Sequence, residues 1–114
     1  MQTIWKICLS LGVLFVTNCA NANLVVSTHE VLNYIGKNVT VCGYVAQIVT
    51  NKQYIFLNFD YAYPKQSFTI FITPEIRYNN IHQFEQKKVC ALGTVGLYKG
   101  KAEMTNPQSL QIVN

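Results

Sequence analysis

Few side chains in this 114-residue chain are of a kind that could do covalent chemistry. Asp60 is the only aspartate, and no second acid stands at a spacing that would pair two carboxylates for acid–base work. His29 and His82 are isolated. No glycine-rich phosphate loop and no nucleophile motif is present. His29, Cys42, His82 and Cys90 lack the paired spacing of a zinc site. These absences predict a protein that is not an enzyme and that needs no metal or cofactor.

Other residues point to binding. Tyr54, Phe56 and Asn58 alternate with Ile55, Leu57 and Phe59. Thr69 and Phe71 alternate with Phe68, Ile70 and Ile72. If both stretches are strands, the purely apolar sets face a core, and Tyr54, Phe56, Asn58, Thr69 and Phe71 share the outer face. Aromatic rings beside hydrogen-bonding groups make a platform on which nucleic-acid bases stack, at roughly 1–3 kcal/mol per base. The competing reading is that the rings brace a small sheet or lie under a loop.

Lys52 and Lys65 fall near the ends of these strands, and Lys99 and Lys101 flank a turn at Gly100. Together they would line a phosphate-tracking groove. Equally, lysines are mostly exposed in any soluble protein. Arg77 is the only arginine, whereas sites that read bases favour bidentate Arg.

The elements that position these residues begin with a leader. One positive charge, Lys6, precedes an apolar run over residues 7–16, and a small polar stretch ends at Ala20-Asn21-Ala22. This is the layout of a secretory signal, so residues 1–22 are expected to be a cleaved signal peptide and residues 23–114 a single domain. The apolar run is shorter than the roughly 20 residues a membrane span needs, so no stable membrane insertion is expected after cleavage. A retained anchor and a lipid-modified Cys19 are the alternatives. A periplasmic or secreted protein follows from the signal. Beyond the leader, eight basic residues face five acidic ones, a mild excess that permits contact with polyanions.

Cys8 and Cys19 would leave with the leader, and Cys42 and Cys90 remain. An even pair in an exported protein predicts a disulfide. Two small buried thiols are the other reading.

Residues 27–35 read as a short helix, capped by Ser27 or Thr28, with Val31, Leu32 and Ile35 as its apolar stripe and Gly36 as its stop. From Val39 the period becomes two. Strands are expected over residues 39–46, 53–60, 67–73 and 88–97, with a broken fifth over 102–104 and 110–113. Gly43 predicts a bend or bulge in the first. Residues 74–84 form a helical or irregular connection. Three strands, a connector and two strands is the order of an OB-fold, a five-stranded, partly open Greek-key barrel.

Several stretches carry a family resemblance: residues 36–45 (GKNVTVCGYV), 56–59 (FLNF), Tyr63-Pro64 followed by residues 68–72 (FTIFI), 89–95 (VCALGTV) and 98–104 (YKGKAEM). Over roughly residues 31–113 the chain resembles bacterial OB-fold nucleic-acid-binding-domain proteins, which are short and often exported. It departs at Ala102, where a proline is common, and at Asp60, where a glycine is common. The resemblance implies an all-β OB barrel with a short N-terminal helix, binding single-stranded nucleic acid or a similar polyanion. The same face also suits an oligosaccharide, or another protein if the ligand has been lost.

Overall fold

The structure is a computed structural model and describes residues 24–114. The signal peptide expected over residues 1–22 lies outside the described residues. Eight strands make one sheet: β1 (Val25–Ser27), β2 (Asn38–Thr50), β3 (Ile55–Phe59), β4 (Phe68–Ile72), β5 (Lys88–Thr94), β6 (Gly96–Tyr98), β7 (Lys101–Thr105) and β8 (Ser109–Ile112). Their order in space is β6-β7-β4-β3-β2-β5-β8, with β1 added in parallel to β2. This path is open and counts eight strands where five were expected, with β2 running longer than the expected first strand.

The count differs because two expected strands break. Val95 interrupts the fourth. Its N–H donates to Lys37 O and its carbonyl accepts from Gly36 N, so it leaves the ladder and separates β5 from β6. The fifth divides at Asn106, whose φ is +49° and whose side chain holds Thr73. Its halves then pair with different strands, β7 with β4 and β8 with β5.

β2 organises the sheet by changing partners. Asn38–Tyr44 pair with β5, and Val45–Thr50 pair with β3. The register shifts between Val45 and Gln47, so the bulge falls beyond Gly43. Gly43 serves a different need. A Cβ there would lie 2.6 Å from Thr28 Cγ2 and 3.1 Å from Phe59 Cδ2, so the missing side chain lets the segment after β1 pack onto β2.

The N-terminal helix is absent. Residues 27–30 form a turn, and Val31–Tyr34 a single 3-10 turn. Ser27 belongs to β1, and the Thr28 hydroxyl donates to Asp60 Oδ2 at 2.7 Å instead of capping a helix. What remains is too short for a stable α-helix. Only Val31 enters the core, while Leu32 is 57% exposed.

The core follows the alternation. Val39, Val41 and Val45 of β2, Leu57 and Phe59 of β3, and Phe68, Ile70 and Ile72 of β4 are fully buried. Phe59 and Phe68 meet edge to face at 5.2 Å.

Candidate nucleic-acid interface

Burying Leu57, Phe59, Phe68 and Ile70 turns the intervening side chains of β3 and β4 outward. Strand register then sorts them into rows. Val49, Phe56, Phe71 and Thr105 align across β2, β3, β4 and β7. Beside them Gln47, Asn58, Thr69 and Glu103 align across the same strands, and the row reaches Gly96 of β6. An apolar row and a polar row therefore run side by side.

The apolar row holds the ring cluster. Tyr54 and Phe71 have centroids 5.1 Å apart, as do Phe56 and Phe71, and Tyr54 and Phe56 are 6.4 Å apart. Tyr54 precedes β3 and is placed by Asn51, whose Oδ1 accepts the N–H groups of Gln53 (2.8 Å) and Tyr54 (2.7 Å). Tyr54 and Val49 are exposed, and Phe56 and Phe71 are half-buried. The rings pack on one another and still present surface.

The polar row is more enclosed than its sequence pattern predicts. Asn58 is only 3% exposed. Its Nδ2 donates to Gln47 Oε1 at 2.9 Å, and its Oδ1 accepts the Thr69 hydroxyl at 3.0 Å. Gln47 Oε1 also accepts the Tyr63 N–H at 3.0 Å, which draws the loop between β3 and β4 over this row. Asn58 thus points outward as expected but is covered, and its hydrogen-bonding capacity is largely spent inside the protein.

That loop is built by Asp60 and Lys101. Asp60 adopts φ +74°, a conformation that aspartate tolerates better than most residues, and its Oδ2 accepts the hydroxyls of Thr28 and Ser67. Asp60 thereby holds the turn in a positive-φ conformation without a glycine. Lys101 Nζ donates to Pro64 O at 3.0 Å and Gln66 O at 3.1 Å, tying the loop to β7. Lys101 is consequently a brace as well as a surface charge.

The other lysines are exposed. Lys52 lies in the turn between β2 and β3, at the Tyr54 end of the face. Lys65 and Lys99 lie toward the opposite end, with Lys99 Nζ 5.3 Å from the centre of the Tyr98 ring. Lys99 and Gly100 both have positive φ, as a two-residue hairpin between β6 and β7 demands. Glu103 is the acid among the aligned outward residues. Partial burial pushes its carboxyl above the usual carboxylate range. Cys42 and Cys90 face each other across β2 and β5 and form a disulfide with Cα atoms 4.1 Å apart, away from the ring cluster.

No family model matches the chain, and no curated protein matches it in sequence. Solved structures do match its shape. An OBody, AM1L10, bound to hen egg-white lysozyme aligns at a TM-score of 0.60 and 17% identity, covering 81% of this chain and 93% of that one. A second, AM3L15, also bound to hen egg-white lysozyme, aligns at 0.59 and 16% identity, covering 82% and 97%. Asparaginyl-tRNA synthetase from Pyrococcus horikoshii aligns at 0.55 and 19% identity. There the match covers 78% of this chain and 22% of the synthetase. The fold is an OB-fold.

On this OB-fold, three exposed tyrosines escape the sequence pattern. Tyr61 is 65% exposed, Tyr63 71% and Tyr98 60%. Tyr61 and Tyr63 stand in a loop, where no strand alternation assigns a face. Their signal is aromatic rings in a segment with no core to enter. Gln47 and Glu103 are missed for another reason: membership of the polar row depends on which strands pair, and β7 pairs with β4 across a long stretch of chain.

Proposed function

We propose that the chain is a non-catalytic OB binding module that acts outside the cytoplasm, periplasmic or secreted, and takes single-stranded nucleic acid on the outer face of β3 and β4. The observation that carries this reading is the Tyr54–Phe56–Phe71 cluster, three rings packed together on an outward face and still partly open. Rings in the core of a small sheet would be covered. Rings that stack bases need to be held in place yet accessible. Lys52 at one end, and Lys65 and Lys99 at the other, would attract the phosphates and keep them off the rings. The Cys42–Cys90 disulfide favours an oxidising compartment. Among the described residues no helix is long and apolar enough to cross a membrane.

A protein partner is the second reading, prompted by the OBodies, which bind lysozyme. Fluorescence anisotropy with a 12-nucleotide single strand at two salt concentrations separates the two. Nucleic-acid binding predicts measurable affinity in low salt that falls steeply as salt rises. Absence of binding at micromolar protein in low salt would shift the assignment to a protein partner. A salt-insensitive affinity for a neutral oligosaccharide would assign a sugar ligand.

A further inference from the structure

The polar row beside the rings has one member with nothing to hold. Gln47, Asn58 and Thr69 hydrogen-bond to one another. Glu103, next in the row, makes no side-chain hydrogen bond and no ion pair among the described residues. It lies directly across from Thr69 on β4, and Thr69 is two residues from Phe71. Ala102 and Met104, its neighbours in β7, are buried on the opposite face, so the Glu103 carboxyl belongs to the ring side of the sheet. Partial burial disfavours the charged form of this carboxyl, and a hydrogen-bond donor meeting it would offset that effect.

A carboxylate accepts hydrogen bonds and repels phosphate. A strand crossing this face must therefore place its bases, not its backbone, near Glu103, and leave its phosphates toward Lys52, Lys65 and Lys99. The bases then differ. Cytosine offers an amino group, N4–H₂, at the edge where thymine offers the O4 carbonyl. Their six-membered rings would stack on Phe71 similarly, so stacking does not separate them.

We infer that Glu103 is a specificity-determining residue of the nucleic-acid face, accepting a hydrogen bond from the exocyclic amino group of a base stacked on Phe71 and so selecting cytosine over thymine. The inference rests on the single-strand binding proposed above and adds a base preference to it.

The test compares dC12 and dT12 at neutral pH by anisotropy, for the wild-type chain and for Glu103→Gln. Glutamine keeps the size of the side chain and can turn its amide to meet either base. One charge-assisted hydrogen bond predicts that the wild type holds dC12 about fivefold or more tighter than dT12. In Glu103→Gln that ratio should fall to near one, mainly through tighter dT12 binding. Equal affinities in the wild type, or a preference that survives the substitution, would overturn the role of Glu103 and leave single-strand binding standing. If the wild type binds neither oligonucleotide in low salt, the binding reading fails and the inference falls with it.

Discussion

Phe68 and Phe71 sit three residues apart on β4 and face opposite ways. Phe68 is fully buried and meets Phe59 at 5.2 Å. Phe71 keeps part of its surface and meets Tyr54 and Phe56 at 5.1 Å. Both therefore have aromatic neighbours at similar distances, and ring contacts alone do not separate a core from a platform. The difference lies in burial: Phe68 is fully buried in the core cluster, whereas Phe71 stays half-buried at the surface of the sheet. A stripe of aromatics on a strand thus takes its meaning from what covers it, which depends on the sheet and not on the strand alone.

The largest effect expected from this contrast is at Phe68. Phe68→Ala should cost about 3–5 kcal/mol in urea denaturation, as truncation of a buried phenylalanine does. Phe71→Ala should cost less, about 2 kcal/mol, because its half-buried ring loses part of its apolar burial together with its ring contacts. Equal losses would make both rings structural. Removing the disulfide by Cys42→Ala with Cys90→Ala should cost about 4 kcal/mol from the loop it closes. Because that loop is closed on β2 and β5, away from the rings, oligonucleotide affinity should hold wherever the variant is folded. Gly43→Ala should cost about 1–3 kcal/mol, since Thr28 and Phe59 must both give way.

Smaller effects sharpen the outer face. Lys99→Ala should leave the denaturation midpoint unchanged and lower the salt slope of binding by about one for each phosphate the lysine neutralises. Glu103→Gln tests the polar row through stability. Burial raises the Glu103 pKa in the folded state, so the folded chain holds that proton more tightly than the unfolded chain. Stability therefore falls as pH rises through the raised pKa and is regained below it. The glutamine variant should melt slightly higher than the wild type at neutral pH, with the gap closing in acid.

Much of this was legible from alternation. The inward and outward sets of β3 and β4 follow from period two, and the Cys42–Cys90 pair from the even cysteine count that remains after the leader. The 3-10 turn was not legible, because Ser27 and Thr28 read as caps until β1 and Asp60 claim them. The covering of Asn58 was hidden for a similar reason. It depends on Tyr63 reaching Gln47, sixteen residues away, and on Lys101 reaching Pro64 and Gln66. Local pattern tells which way a side chain points, and long-range hydrogen bonds decide whether it meets solvent.

The most direct measurement is single-strand affinity and unfolding free energy on the same samples of wild type, Phe56→Ala and Phe71→Ala. Each substitution should weaken binding by roughly 1–3 kcal/mol, with a stability loss of about 2 kcal/mol. Stability losses of about 3 kcal/mol or more, with single-strand affinity unchanged or absent throughout, would show that the rings hold the sheet together and would contradict their role as a binding platform.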